Sequence, residues 1–267
     1  MTFYNEIAKY PAAWLRNLAA AGHIADGRVD ERSIRDLAPG DVSGDEPAHF
    51  FAGIGAWSHA LRLARVPDGL PIWTGSCPCQ PFSVAGQGGG FDDERHLWPE
   101  WFRLIRECRP SIILGEQVAG RAGLEWLDLV SADLEGCGYS FAAAVLPACS
   151  VGAPHRRERI AFVAHANGAG RLLERFGWVP EDRDAERRDD ADGRGEVNGF
   201  WSGADWVKCN DPIRGEVWRP VEPGLEPLVD GSPGRVGRLR AYGNAIVAPM
   251  MAEFIMEAFG AICEVSA

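Results

Sequence analysis

Cys79 lies in a stiff loop, Gly75-Ser76-Cys77-Pro78-Cys79-Gln80-Pro81-Phe82-Ser83, with prolines on either side of it. A thiolate held in a preorganised loop is a candidate nucleophile. The loop follows Ile72-Trp73-Thr74, which reads as a strand. Cys79 therefore falls at a strand's carboxyl end, where open α/β sheets bind ligands. A structural thiol and a metal ligand are the other readings. Cys77 and Cys79 form the one close cysteine pair, with no second pair at zinc-like spacing. Glu116, in Gly115-Glu116-Gln117-Val118, closes a second predicted strand that begins at Ser111. Neighbouring ends of a parallel sheet open on one crevice, so Cys79 and Glu116 are expected to share a pocket. A carboxyl group whose pKa is raised by burial there can protonate a ring nitrogen; the alternative is a helix cap or a surface group. A third group, Pro154-His155-Arg156-Arg157-Glu158-Arg159, precedes another strand. In extended chain Arg157 and Arg159 point the same way, although the run also fits a solvated basic turn.

These groups need a scaffold, and the apolar patterning supplies one. Residues 10–21 predict an amphipathic helix, and 29–37 predict one or two short strands or a loop. The apolar run Ala48 to Ala52 stops at Gly53-Ile54-Gly55, and Trp57, Ala60, Leu61 and Ala64 follow at helical spacing. Strand, glycine turn and helix make the first unit of a doubly wound sheet. Helices over 99–107 and 124–134, with strands at 111–114, 141–146 and 160–164, continue the alternation. The predicted fold class is α/β with a doubly wound, mostly parallel sheet. Residues 167–199 are charged and glycine-rich and predict a solvated loop. Residues 200–230 bring Phe200, Trp201, Trp206 and Trp218 among prolines and glycines, enough for a small core. A last helix is expected from Pro249 through Phe259, with Gly260 ending it.

Composition narrows the class. At 46% hydrophobic residues the 267-residue chain can bury a real core. No apolar run approaches the roughly 20 residues of a membrane span, and Met1 to Tyr10 lacks the apolar centre of a signal peptide. A soluble cytoplasmic protein with no membrane partner is expected. Seven scattered cysteines predict free thiols rather than a disulfide framework. The net charge of −11 argues against nucleic acid as a partner, yet whole-chain charge says little about local fields. Lysine occurs only at positions 9 and 208, so nearly all basic residues are arginine, the side chain suited to bidentate contact with phosphate and guanine.

Taken together the motifs resemble the DNA cytosine-C5 methyltransferase family. Phe50-Phe51-Ala52-Gly53-Ile54-Gly55 is similar to its cofactor loop, and Pro78-Cys79-Gln80 with Phe82-Ser83 to its nucleophile motif. Asp93-Glu94-Arg95 with Leu97, and Glu116-Gln117-Val118, resemble later motifs, the second with Gln in place of Asn. His155, Arg157 and Arg159 match Gln-x-Arg-x-Arg with His for Gln, and Gly243-Asn244-Ala245-Ile246 with Pro249 resembles the last motif. The resemblance implies an S-adenosylmethionine-dependent methyltransferase fold. It implies transfer of a methyl group to C5 of a flipped cytosine in a specific double-stranded DNA site, without metal; a monomer is expected, as for an enzyme acting on one strand at a time. Cys79, Glu116, Arg157 and Arg159 would be catalytic. Phe51, Gly53, Gly55, Pro78, Leu97, Asn244 and Ala245 would hold the cofactor, and Gln80, Ser83 and His155 the substrate. Residues 1–166 and 241–267 would form the catalytic domain and 167–240 the target-recognition region, where Arg214, Arg219, Arg235, Arg238 and Arg240 are available for backbone or guanine contacts.

One departure stands out. The family places two strands between its cofactor and nucleophile loops, carrying acidic residues for the cofactor's ribose and adenine. Here Ala56 to Thr74 leaves room for one helix and one strand. The missing acids are expected upstream, at Asp30 or Asp36, with sheet order kept by a rearranged chain; the alternative is that 25–45 is a plain loop. Competing functions are an RNA methyltransferase of the same chemistry, a catalytically silent DNA- or cofactor-binding relative, and an NAD-dependent oxidoreductase. The last explains Gly53 and Gly55 but neither the Cys79 loop nor Asn244.

Overall fold

The computed structural model describes residues 1–78, 97–153, 156–180, 205–211, 215–221 and 245–266. Seven strands form the main sheet: β1 (Thr2–Asn5), β2 (Gly27–Asp30), β3 (Ala48–Phe50), β4 (Ile72–Gly75), β5 (Ile112–Val118), β6 (Ser140–Pro147) and β7 (Glu158–His165). Their order across the sheet is β2-β1-β3-β4-β5-β7-β6. The pairs from β2 to β5 are all parallel, and β7 runs antiparallel to both β5 and β6. The predicted mostly parallel α/β sheet is what forms.

The central strands β1, β3, β4 and β5 are buried on both faces, as parallel sheets require, while the edge strands β2 and β6 are partly exposed. Side chains alternate between two cores with the period of two that a strand dictates. Ile72, Ile112, Leu114, Ala161 and Val163 enter one core; Trp73, Ile113, Phe162 and Ala164 enter the other. The first core is closed by α2 (Ala56–Leu63), α5 (Ala169–Arg175) and α6 (Ala248–Ser266), the second by α3 (Trp98–Cys108) and α4 (Arg121–Gly136). Close packing sets two glycines: a Cβ on Gly115 would collide with the Phe162 ring, and one on Gly75 would come within 2.6 Å of Trp101.

The upstream segment folds as the shortened spacing demands. Residues 1–30 form a parallel β1–α1–β2 unit, with α1 spanning Lys9–Ala20. β1 then inserts beside β3, with Phe3 opposite Ala48 and Asn5 opposite Phe50. Two strands, β1 and beyond it β2, therefore lie on one side of the glycine-turn strand although both precede it in the chain. β1 went unrecognised in the sequence because Thr2–Asn5 is only four residues long and has no flanking turn signal.

Two expectations are corrected. Residues 167–199 are not solvated throughout: α5 and Trp178 belong to the main core, Leu173 being fully buried and Trp178 donating its indole N–H to Ala64 O at 3.1 Å. The main core thus continues beyond residue 166. Gly260 does not end the last helix, which runs on to Ser266; an interior glycine costs a helix only about 1 kcal/mol, and Ile262 anchors the far turn at 3% exposure. Finally, Asp205–Asp211 and Gly215–Val221 pair as an antiparallel ribbon, β8–β9. Trp206 and Trp218 fall on its two strands, as does Arg219, while Phe200, Trp201, Arg214, Arg235, Arg238 and Arg240 lie outside the described residues.

Candidate active site

The carboxyl ends of β3, β4 and β5 lie side by side, with neighbouring strands about 4.8 Å apart. Three loops open there. β3 runs into the glycine turn, β4 into Ser76-Cys77-Pro78, and β5 ends beyond Glu116. Cys79, Gln80 and Ser83, expected on the middle loop, and His155 and Asn244 lie outside the described residues. Pro78, the last described residue before Cys79, is exposed.

The glycine turn is shaped by backbone conformation. Phe51, Gly53 and Gly55 all have positive φ, at 52°, 54° and 80°. A Cβ at Gly53 would meet nothing closer than Phe51 O at 4.0 Å, so that side of the turn is open. At Gly55 a Cβ would press on Leu15 and Ile24 at 3.1 Å; its absence lets the start of α2 sit tight against the N-terminal unit. The Gly53 N–H donates to Glu6 Oε2 at 2.8 Å, and Glu6 Oε1 accepts from the Ala8 N–H at 2.8 Å. Glu6 directly follows β1, so a carboxylate stands at the turn, and each of its oxygens keeps a further lone pair. Sequence reasoning missed Glu6 because β1 itself was missed. Asp30 ends β2 but is already held by Arg32 at 2.6 Å. Asp36 lies farther out, exposed on a short 3-10 turn, Ile34–Asp36, beyond β2. An open glycine turn, a helix N-terminus and a strand-end carboxylate suit a ligand carrying both an anionic group and vicinal hydroxyls. S-adenosylmethionine is such a ligand.

The acid side of the site is built on β5 and the entry to β7. Glu116 is 7% exposed and pairs across the sheet with Ala161. Arg159 Nε donates to Glu116 Oε1 at 2.8 Å, while Arg159 Nη1 donates to Glu158 O. Burial raises the Glu116 carboxyl above its ordinary pKa, outweighing the nearby Arg159, the Ser76 hydroxyl and Arg157, which all lower it. Arg157, at φ 27°, sends Nη2 to Ala245 O at 2.8 Å, tying the approach to β7 to the segment before α6. Its guanidinium is lowered by burial first and by Arg159 second. Glu116, Arg157, Arg159 and Ala245 are thus brought together. Leu97 stands at the N-cap position of α3 and packs, half-buried, against the second core. Gln117 donates Nε2 to Cys77 O at 3.4 Å, and its own Oε1 accepts from the Val118 N–H at 2.9 Å. That amide ties β5 to the backbone two residues ahead of Cys79. Among the described residues no group of three His, Cys, Asp or Glu side chains could hold a metal ion, and no helix is long and apolar enough to cross a membrane.

Fold and site together define an α/β protein of the doubly wound type with a buried acid–guanidinium pair at its ligand crevice. Residues 66–184 match the family model described as C-5 cytosine-specific DNA methylase. Type II methyltransferase M.NgoMIV of Neisseria gonorrhoeae is 36% identical over 103 residues, 38% of this chain and 33% of that protein. Type II methyltransferase M.HhaI of Haemophilus parahaemolyticus is 36% identical over 106 residues, 38% of this chain and 32% of that protein. A crystal structure of a Spodoptera frugiperda DNMT2 mutant aligns over 62% of this chain and 42% of that one, with TM-score 0.39 and 20% identity. The matches span about a third of the length of the two curated relatives. Over residues 66–184 the chain is similar to C5 cytosine-specific DNA methylases, the family its motifs resemble.

Proposed function

We propose that this chain is a DNA cytosine-C5 methyltransferase acting on a cytosine extruded from a specific duplex site, in the manner of a restriction-modification methyltransferase. The observation that carries the reading is Glu116, buried on the strand adjacent to the one that leads into Cys79 and paired with Arg159 from β7, with Arg157 nearby. S-adenosylmethionine, when bound, supplies an electrophilic methyl group. The glycine turn with Phe51, Gly53 and Gly55 would seat it, assisted by Pro78, Leu97, Asn244 and Ala245. Glu6 would accept hydrogen bonds from its ribose hydroxyls, and Asp36 is the second candidate acid on that edge.

The chemistry follows from the substrate. C5 of cytosine is a weak nucleophile. Addition of the Cys79 thiolate to C6 makes C5 enamine-like, provided negative charge does not build on the ring. A Glu116 carboxyl, its pKa raised by burial, would give its proton to N3 and so remove that charge. Arg159 then holds the resulting carboxylate through its Nε. Once C5 carries the methyl group, a base removes the C5 proton, Cys79 leaves as the thiolate, and N3 returns its proton to Glu116. C6 is inaccessible within a stacked duplex, so the base must be flipped out. Arg157 would hold the extruded nucleotide or its phosphate, and Gln80, Ser83 and His155 would line the base.

A duplex carrying 5-fluorocytosine provides the test, because fluorine at C5 cannot leave as a proton. Wild-type protein with S-adenosylmethionine should form a covalent adduct stable in denaturing gel, and Cys79→Ala should not. Adduct formation by Cys79→Ala would refute the assignment.

A further inference from the structure

The loop that leads to Cys79 is held at its root from two sides. Pairing of β4 with β3 and with β5 ends at Gly75, and the next two residues are caught by side chains. Trp57, in the first turn of α2 and 3% exposed, donates its indole N–H to Ser76 Oγ at 3.1 Å. An indole nitrogen can only donate, so the Ser76 oxygen is the acceptor. Gln117, buried on β5, donates Nε2 to Cys77 O at 3.4 Å, and its Oε1 is held by the Val118 N–H at 2.9 Å. The fold does not supply such a partner to every buried tryptophan. Among the described residues, Trp73 and Trp101 bury their indole nitrogens without one.

We infer that Trp57 and Gln117 are positioning residues that pin the root of the Cys79 loop and so set the line along which the thiolate approaches its target carbon. The inference rests on the proposed function for the role of Cys79. A peptide unit is planar, and the proline ring fixes its own φ. With Cys77 O held, the plane of the Cys77–Pro78 peptide is set, and ψ of Pro78 is the one soft torsion left before Cα of Cys79. The Trp57 bond secures the residue before that carbonyl. Two adjacent residues are thus tied to two different elements, α2 and β5, which resists both displacement and rotation of the chain where it leaves the sheet. Attack requires the sulfur within about 3–3.5 Å of the carbon, and a misplacement on the order of 1 Å can cost about 10²-fold in rate. Trp57 and Gln117 act through Ser76 and Cys77 and not on the substrate. Trp57 stands two residues beyond Gly55, so the helix start that follows the glycine turn also fixes the loop bearing the nucleophile.

The test separates attack from binding in the full chain. With a saturating 5-fluorocytosine duplex and S-adenosylmethionine, Trp57→Phe, which keeps a ring in the core, and Ser76→Ala should each slow covalent adduct formation by about 3- to 10-fold, the scale of one neutral hydrogen bond. Duplex affinity should be unchanged in both. On the Ser76→Ala background Trp57→Phe should slow the adduct no further, and Ser76→Thr, which keeps the hydroxyl, should retain the wild-type rate. Gln117→Leu should slow the adduct on either background, because it holds a different residue. Deuterium exchange over peptide 75–83 should rise in the slowed variants, a readout that needs no catalysis. Wild-type adduct rates in Trp57→Phe and Ser76→Ala, or slowing that multiplies when the two are combined, overturn the role of Trp57. A wild-type rate in Gln117→Leu overturns that of Gln117. A wild-type protein that forms no adduct would sink the proposed function, and the exchange measurement would then decide the anchoring: unchanged exchange in the variants overturns it.

Discussion

Replacing Arg159 by Met should destabilise the protein in a strongly pH-dependent way. The side chains of Arg159 and Glu116 are only 15% and 9% exposed, and their contact is 2.8 Å. Methionine keeps most of the aliphatic stem but removes the positive charge. Glu116 is already raised above its ordinary value of 4.5 by burial, and Arg159 is the largest effect holding it down. Loss of an adjacent opposite charge raises a carboxyl pKa by about 1–3 units. A folded-state pKa above the unfolded one means that the unfolded chain ionises first. The penalty therefore begins as pH rises past the unfolded value near 4.5 and grows until the folded pKa is passed. At pH 5 ionisation of the unfolded chain limits the titration cost to about 1 kcal/mol. At pH 8 the extra cost of the variant should reach roughly 1.4–4 kcal/mol, at 1.36 kcal/mol per unit. Urea unfolding of wild type and Arg159→Met at both values measures it. Any loss of packing or of the bond to Glu158 O is the same at each pH and cancels in the comparison. A destabilisation equal at pH 5 and pH 8 would refute the argument that Arg159 compensates a buried carboxylate.

Three further outcomes follow. Glu6→Ala removes the acceptor of the Gly53 N–H and should weaken S-adenosylhomocysteine binding by about 10-fold or more in calorimetry, the scale of one charge-assisted hydrogen bond; unchanged affinity, with Asp36→Ala run beside it, would remove Glu6 from the cofactor site. Gly115→Ala places a methyl group on the fully buried Phe162 ring and should cost about 1–3 kcal/mol in urea unfolding, so a neutral result would mean that the two cores are looser than described. His49 is fully buried with Nδ1 at 2.7 Å from Thr74 Oγ1, and burial pushes its pKa down to about 3. Its contribution to stability is complete above pH 6.5 and is lost on acidification through the window from 6.5 to 3, at up to about 1.4 kcal/mol per unit. His49→Gln should flatten the stability–pH curve in that window, and an unaltered slope would contradict it.

Much of the site was legible because its residues sit where periodicity changes. Gly53 and Gly55 interrupt an apolar run and begin a helical pattern, which marks a strand-to-helix turn without any knowledge of neighbours. Glu116 and Arg159 could each be placed at a strand boundary, but their 2.8 Å contact depends on β7 running antiparallel beside β5, which no local pattern encodes. Glu6 was invisible for a similar reason. Its significance comes from β1 lying next to β3, a pairing across more than 40 residues, while locally it is one acid in a short charged segment. Trp57 read simply as a core position on α2, which it is; the direction of its indole N–H depends on where Ser76 lies. Gly260 misled because a glycine near the end of an apolar pattern commonly stops a helix, whereas here burial of Ile262 carries the helix onward.

The placement of β1 and β2 before the glycine-turn strand separates position along the polypeptide from position in space. What the crevice requires is a strand beside β3 ending in an acid, and a loop that delivers it there; a sheet assembled from parallel neighbours is indifferent to which of them was threaded first. The match to the family model starts at residue 66, just ahead of β4, and covers the stretch through the Cys79 loop to residue 184. On the proposed function, the edge that would receive the nucleoside is joined to the rest of the sheet by register and packing rather than by its place in the linear order.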